Sequence, residues 1–302
     1  MRNNILLKIL PLLATILFLP SYGSAREMAP IVSTAWLQAN LNNPKLIILD
    51  IRRVEDYREG HIPGAISSFY GGWAYKQGEL YSELPEEDDL EDLIGSLGIG
   101  LKSWVVVAGD TDTPRHSYQS ARVACTLQYA GIENVALLDG GMNKWIADKK
   151  PLSSEIVRIK DKPFKGNFNK GKMFADKDYI LKRMGKIILL DVREPEFFAG
   201  TKRLDCIPKM GRIPGAFNLP TSCAFNKDCT FKSKEELQKI AESAAGINRN
   251  VEIVTYCDVG HCCPTWSYIL KQVLGYKNVR IYDGAMQEWM QDPQAPVTTN
   301  NE

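Results

Sequence analysis

The chain has 302 residues, 44% hydrophobic and 24% charged, which is the composition of a globular protein rather than a disordered or membrane one. Its 37 basic and 36 acidic side chains nearly cancel, so no polybasic surface for nucleic acid or for an anionic membrane is indicated. The length suits about two domains, each able to bury its own core.

The N-terminal 25 residues have the pattern of a secretory signal peptide. Arg2 is followed by an almost wholly apolar stretch over residues 5–20, and small residues follow at Gly23 and Ala25. The uninterrupted apolar run after Lys8 has about 12 residues, fewer than the roughly 20 that span a bilayer. We therefore expect cleavage and a periplasmic or secreted protein without stable membrane association, rather than a chain held by an N-terminal anchor.

Four sequence landmarks occur twice, in the same order and about 140 residues apart. They are LIILDIR at 46–52 and IILLDVR at 187–193, GHIPGA at 60–65 and GRIPGA at 211–216, GIENV at 131–135 and GYKNV at 275–279, and DGGMNKW at 139–145 and DGAMQEW at 283–289. Agreement in both content and order indicates a duplicated domain.

Each copy alternates short apolar strands with helical segments. The predicted strands are near-continuous runs of Val, Ile and Leu at residues 46–49, 104–108, 135–138, 187–190, 251–256 and 279–282. Helical periodicity covers residues 120–129 and 234–245. The alternation predicts an α/β protein with two tandem three-layer α/β/α domains, each around a mostly parallel central sheet.

Composition and the repeat together predict the domain boundaries. They place a signal peptide at 1–25, a first domain at 28–150, a linker at 151–172, a second domain at 173–292 and a disordered tail at 293–302.

One cysteine-rich loop carries the candidate chemistry. It follows the predicted strand 251–256 and consists of Cys257, Asp258, Val259, Gly260, His261, Cys262 and Cys263. The carboxyl ends of parallel strands are where such sheets bind ligands, and free backbone amides beside a helix start favour a thiolate or a persulfide anion. The alternative is that Cys257 is a small core residue. The catalytic interpretation requires that Cys257 be neither sealed in the interior nor permanently bridged.

The first copy lacks this cysteine loop. Its strand 104–108 leads into Gly109 and Asp110, with no thiol and a longer segment before the next landmark. The comparison predicts one catalytic and one supporting domain.

These features together resemble the tandem-domain rhodanese family, over roughly residues 30–292. The likeness rests on the Asp-x-Arg strand ends, the two Ile-Pro-Gly-Ala turns, the Cys257 loop, and GYKNV with its trailing Gly and Trp. The family includes thiosulfate and 3-mercaptopyruvate sulfurtransferases. The resemblance implies a cysteine, here Cys257, that takes sulfane sulfur from a small donor and passes it to a thiol or cyanide-like acceptor. It implies no metal or organic cofactor.

The resemblance also implies that Arg193, after the strand in the active copy, helps to bind an anionic donor. The alternative is a structural arginine that ties the loop together through Asp191 or Glu194, as its counterpart Arg52 in the copy without a cysteine suggests.

The loop itself departs from the patterns of the thiosulfate- and mercaptopyruvate-preferring members. Asp258 places a negative charge beside the nucleophile, which disfavours thiosulfate as donor. His261 either offsets that charge or is a solvated loop residue. Cys262 could resolve an oxidised or persulfidated Cys257 by forming a disulfide with it. A second alternative is that Cys257, His261, Cys262 and Cys263 bind a soft metal, although their spacing is unlike that of known sites. The third is that the extra cysteines are packing residues without a chemical role.

Three further cysteines, Cys206, Cys223 and Cys229, lie in an inserted segment. In an exported protein one structural disulfide is expected among them, most simply between Cys223 and Cys229.

Two other functions compete with sulfur transfer. A cysteine phosphatase or arsenate reductase needs an arginine that closes the cysteine loop, and this sequence has none there. A non-catalytic sulfur-carrier or thiol-redox module stays open, because the loop is atypical.

Overall fold

The computed structural model describes residues 26–246 and 249–300. The predicted signal peptide at 1–25 lies outside the described residues. Within the described part of the chain, no helix combines the length and the apolar character needed to cross a membrane.

The first domain is built on a five-stranded sheet whose neighbouring strands all run parallel. The strands of this domain, including two outside the main sheet, are β1 (Ile31–Val32), β2 (Leu46–Asp50), β3 (Ile66–Ser67), β4 (Tyr75–Gln77), β5 (Leu80–Glu83), β6 (Trp104–Ala108) and β7 (Val135–Leu138). The order across the sheet is β1-β7-β6-β2-β3, while β4 and β5 form a separate antiparallel hairpin. The central strands are buried, as expected for a sheet covered on both faces.

The second domain repeats this sheet with the equivalent strand order, β8-β12-β11-β9-β10. Its strands are β8 (Phe174–Ala175), β9 (Ile188–Asp191), β10 (Phe217–Asn218), β11 (Ile253–Tyr256) and β12 (Val279–Tyr282). All neighbours are again parallel, and the middle strand β11 ends one residue before Cys257. The predicted pair of α/β domains with mostly parallel sheets is confirmed.

Helices connect the strands and cover the sheets. They are α1 (Thr34–Asn40), α2 (Val54–Glu59), α3 (Glu87–Ser96), α4 (Pro114–Tyr129), α5 (Gly141–Ala147), α6 (Lys170–Met173), α7 (Lys177–Arg183), α8 (Pro195–Ala199), α9 (Lys234–Ala245), α10 (Cys263–Tyr268) and α11 (Ala285–Gln291). Helix α9 has the predicted bounds because Ser233 and Glu236 form a capping box at its start. Helix α4 begins six residues before the predicted segment, with the Thr113 side chain as its N-cap.

The two domains pack together through a continuous hydrophobic core. Helix α4 of the first domain lies against α10 of the second, and their buried side chains belong to one cluster. At this contact the Tyr268 hydroxyl lies 2.7 Å from the carbonyl oxygen of Val135, to which it donates. The interface therefore places first-domain residues directly over the helix that follows the Cys257 loop.

The predicted disordered tail at 293–302 is wrong for residues 293–300. Arg212 and Thr298 pair as an antiparallel bridge, and the Trp289 indole N–H donates to the carbonyl of Pro296 at 2.9 Å. The same arrangement closes the first domain, where His61 pairs with residue 153 and the Trp145 indole donates to residue 151. Residues 293–300 thus complete the second domain through main-chain pairing, which needs little apolar content.

Candidate active site

The Cys257 loop joins β11 to α10 and is held in place by its backbone. The carbonyl oxygens of Cys257 and Asp258 accept hydrogen bonds from the amides of Met286 and Gln287, at 3.0 and 2.9 Å. Gly260 has a φ of +73°, and a Cβ there would lie 2.6 Å from the carbonyl oxygen of Asp283. Only glycine combines this left-handed conformation with so close an approach. The loop therefore has one tightly defined path.

The Cys257 thiol lies at the base of this loop in an environment that favours its anion. Burial by itself raises the pKa of Cys257, but hydrogen bonds from the Cys262 and Cys263 thiols, and from the backbone amides of both residues, lower that pKa well below its ordinary value. A thiolate at position 257 is the form that attacks a sulfur donor.

The two neighbouring thiols keep their protons. The hydrogen bond to Cys257 raises the pKa of Cys262, and burial raises the pKa of Cys263. Cys263 begins α10 and is buried, whereas Cys262 is partly exposed. The loop therefore holds one anionic thiol and two thiol donors.

Cys257 is not bridged, but it is also not open to solvent. It is a free cysteine whose residue surface is 1% exposed. The requirement that this thiol be unsealed is not met in the structure, because first-domain residues cover the loop. A donor can reach Cys257 only after some of this cover moves.

Two first-domain tyrosines that no sequence motif marks pack against this loop and the core cluster around Cys257. Tyr70, in a short 3₁₀ helix, and Tyr118, in α4, pack edge-on to the His261 ring at centroid distances of 5.8 and 6.1 Å. The Tyr70 hydroxyl is buried and has no hydrogen-bond partner among the described residues. His261 is thus partly exposed and packs between two aromatic rings, and whether it offsets the charge of Asp258 stays a prediction.

A buried ion pair joins the domains directly beneath the loop. Both terminal nitrogens of Arg122, in α4, donate to the carboxylate of Asp283, which follows β12. Asp283 also accepts from the amide of Leu84, at 3.0 Å, after the first-domain hairpin. Arg122 further reaches the carbonyl oxygen of Gly260 at 3.5 Å. The path of the loop is consequently coupled to the first domain.

Arg193 is held by structural contacts. Its guanidinium donates to both oxygens of Asp191, to the carbonyl of Gly211 at 2.8 Å, and to Asp258 at 3.2 Å. Arg52 donates in the same way to Asp50 and to the carbonyl of Gly60.

The shared arrangement gives both arginines the role of tying the strand end to the following turn. A direct contact between Arg193 and a donor stays a prediction.

Asp258 lies between Arg193 and the reactive thiol, in surroundings that hold its proton. Burial raises its pKa most, Arg193 opposes that shift, and Cys257 and Asp191 add to it, so that the pKa of Asp258 reaches about 7. The expected negative charge beside the nucleophile is therefore only partly present at neutral pH.

The first domain has no reactive cysteine at the position equivalent to Cys257, as the sequence comparison of the two copies predicts. The carbonyl of Gly109 accepts from the amide of Met142 at 2.9 Å, just as that of Cys257 accepts from Met286. Gly109 thus occupies the position of Cys257 and offers no side chain for chemistry.

The predicted Cys223–Cys229 disulfide is wrong in this structure, in which all seven cysteines are free. Cys223 lies in a 3₁₀ helix, and Cys229 lies at the turn of a hairpin that is closed by the Phe225–Phe231 bridge. Main-chain hydrogen bonds already hold this segment, so its conformation does not depend on a covalent link. Among residues 26–246 and 249–300, no group of three or more His, Cys, Asp or Glu side chains is placed to hold a metal ion.

Comparison with known proteins places this fold and loop in a family. A family model of the rhodanese-like domain matches the chain twice, over residues 33–148 and 176–292. The chain belongs to the rhodanese family. Its tandem arrangement of two such domains agrees with the two sheets described above.

Full-length relatives and a solved structure support the assignment. The chain is 31% identical over 290 residues to the sulfur carrier protein TtuD of Thermus thermophilus, covering 90% of this chain and 97% of the relative. It is 32% identical over 276 residues to a protein of Mycolicibacterium smegmatis assigned by name as a thiosulfate sulfurtransferase, covering 88% and 96%. SseA from Escherichia coli, a 3-mercaptopyruvate sulfotransferase of rhodanese fold, superposes with a TM-score of 0.73 at 24% identity, covering 85% and 99%. The similarity to SseA shows the shared fold, and the similarity to the sequence relatives shows that this rhodanese is a sulfurtransferase.

Proposed function

We propose that Cys257 carries the transferred sulfur as a persulfide. The observation that carries this proposal is a free, unbridged cysteine directly after the middle strand β11, beside the thiols and amides of Cys262 and Cys263, whose hydrogen bonds lower its pKa. The thiolate attacks the outer sulfur of a donor, the donor's bond to that sulfur breaks, and the leaving group departs with the electron pair. The resulting persulfide anion is stabilised by the same donors.

The donor classes are thiosulfate, mercaptopyruvate and persulfides, and the acceptor is a thiol or a cyanide-like nucleophile. Names of relatives support the first two donors. Because Cys257 is buried, we propose that the donor enters where His261 packs against Tyr70 and Tyr118, and that these rings move apart to admit it.

The second candidate is a sulfur carrier that exchanges sulfur only with protein partners. The name of the Thermus thermophilus relative, a sulfur carrier protein, favours it. Turnover with a small donor separates the two functions, because a carrier would be loaded once and would not turn over with small acceptors.

We also propose that the protein acts in the periplasm or outside the cell, after removal of residues 1–25. The proposal rests on the apolar N-terminal sequence described above. N-terminal sequencing of the protein from a membrane-free fraction tests it, and a start at Met1 would contradict it.

Intact-mass spectrometry tests the persulfide. We expect treatment with a sulfane donor to add about 32 Da, one sulfur atom, when the mass is measured directly after loading, and cyanide or thiol added at that point to remove it. Peptide mapping should place the sulfur on Cys257. A phosphate-sized gain, or a persulfide at any other cysteine, would contradict the proposal.

The protonation of Asp258 should make loading by an anionic donor depend on pH. Above pH 7 the carboxylate is ionised and repels the donor, while Cys257, with its low pKa, is already a thiolate. We therefore expect the single-turnover loading rate with thiosulfate to fall by about tenfold from pH 6 to pH 8.

In the Asp258→Asn variant the loading rate with thiosulfate should no longer fall with pH, and it should stay at the faster rate from pH 6 to pH 8. Asp205→Asn, a matched change at an exposed acid of the same domain, should keep it. A fall that persists unchanged in Asp258→Asn would assign the titration to another group.

A further inference from the structure

Three thiols meet at the Cys257 loop, and they differ in their access to solvent. Cys257 and Cys263 belong to the same buried cluster, at 1% and 0% exposure, and Cys262 packs against that cluster while staying partly exposed. The Cys262 thiol is also hydrogen-bonded to Cys257. The reactive thiol is thus hydrogen-bonded to the thiol of a residue that is itself partly exposed.

We propose that Cys262 is a resolving thiol, which attacks the persulfide on Cys257 and releases sulfide. The inference rests on the proposed function and adds a second activity to it. The sulfur of Cys262 bonds to the inner sulfur of Cys257, the bond from Cys257 to the sulfane sulfur breaks, and that sulfur leaves as hydrosulfide with the electron pair. The proton of Cys262 passes to the departing sulfur, so that the persulfide anion and the neutral thiol give a disulfide and hydrosulfide with no other proton gained or lost. Two cysteine sulfurs are oxidised to a disulfide, and the sulfane sulfur is reduced to sulfide.

Burial of Cys257 favours this internal step over transfer to an external thiol. An external acceptor must displace the cover formed by His261, Tyr70 and Tyr118 before it can reach the persulfide. Cys262 lies in the same loop, and its thiol already hydrogen-bonds to Cys257. A positioned internal nucleophile has the advantage of a very high effective concentration.

Cys262 suits this role better than Cys263 does. Cys263 is the first residue of α10, is fully buried, and its carbonyl accepts a hydrogen bond from the Thr255 hydroxyl at 3.2 Å. A disulfide to Cys263 would be closed off from any reductant. Cys262 precedes the helix in a partly exposed part of the loop, so a Cys257–Cys262 disulfide lies nearer to solvent, and a dithiol reductant that displaces the cover can return both thiols.

The test follows persulfide and sulfide together in the absence of any added thiol. Full-length wild-type protein and the Cys262→Ser and Cys223→Ser variants are loaded anaerobically with thiosulfate, freed of donor, and monitored by intact mass and sulfide assay. We expect wild type to release one equivalent of sulfide while its mass falls to about 2 Da below that of the reduced protein, the loss of two hydrogens. A dithiol should restore the reduced mass.

In Cys262→Ser the gain of about 32 Da should persist at least about tenfold longer, without sulfide. The persulfide itself shows that this variant is folded and reactive. Cys223→Ser removes another partly buried cysteine of the same domain and should behave as wild type. The inference would be overturned if the persulfide were equally long-lived in wild type and Cys262→Ser. Sulfur found on Cys262, or sulfide release that continues unchanged in Cys262→Ser, would overturn it as well. Absence of any sulfur gain in all variants would overturn the proposed function, and with it this second activity.

Discussion

Replacement of Cys257 by serine is expected to abolish sulfur transfer, with a loss of at least about a thousandfold in turnover. A serine hydroxyl has a far higher pKa than a thiol, so the same amide donors cannot make it an anion at neutral pH. A serine also cannot form a persulfide. Steady-state assays with thiosulfate, mercaptopyruvate and a persulfide donor, with cyanide or thiol as acceptor, measure the loss.

Cys125 provides the matched control. It is equally buried, at 1% exposure, but lies in α4 with its sulfur 3.7 Å from the carbonyl oxygen of Pro264. Burial raises the pKa of Cys125 to about 12, so it stays a neutral thiol. We expect Cys125→Ser to keep turnover within about twofold. Turnover that survives in Cys257→Ser, or that is lost equally in both variants, would assign the chemistry to a different residue.

The repeat made much of the fold predictable from the sequence. Strands β6, β7 and β12 have the predicted bounds, because each is a continuous apolar run that ends at a turn. The edge strands could not be predicted, since β1 and β8 have two residues each and carry no periodicity. Their pairing depends on the neighbouring strands β7 and β12, which are remote in sequence.

The order of the tail could not be predicted from the repeat, because the matched motifs end at Trp145 and Trp289. Each tryptophan donates to the carbonyl of a proline a few residues later, Pro151 or Pro296, so the repeat continues beyond the last matched motif. The segment has little apolar content, and main-chain bonds rather than side chains hold it. Composition alone could not reveal that order.

The parts of the site that come from one continuous segment could be predicted from the sequence, and the parts that come from the other domain could not. The position of Cys257 at a strand end, and the sharp turn at Gly260, follow from residues 251–264. Tyr70, Tyr118 and Arg122 come from the other domain, more than 130 residues away, and no local pattern marks them. The burial of Cys257 therefore arises from domain packing, which neither copy specifies by itself.

Removal of the Asp283 carboxylate is expected to destabilise the protein by about 3–5 kcal/mol. Arg122 is only 1% exposed, and Asp283→Ala would leave its charge buried without its acid. The same change removes the acceptor for the Leu84 amide and so loosens the first-domain hairpin. Chemical denaturation at neutral pH measures the free energy of unfolding, and loading of Cys257 should slow as the Gly260 turn shifts.

The duplicated domain supplies a matched control at Asp139, the counterpart of Asp283. Asp139 accepts from the amide of Phe231 at 2.8 Å but forms no arginine pair within the described ranges, so Asp139→Ala should cost only about 1–3 kcal/mol. If buried charge is the cause, Arg122→Met in the Asp283→Ala background should recover part of the lost stability, because the unpaired guanidinium is then gone. Equal losses at Asp139 and Asp283, without recovery in the double variant, would show that the interface depends on its apolar packing and not on this ion pair.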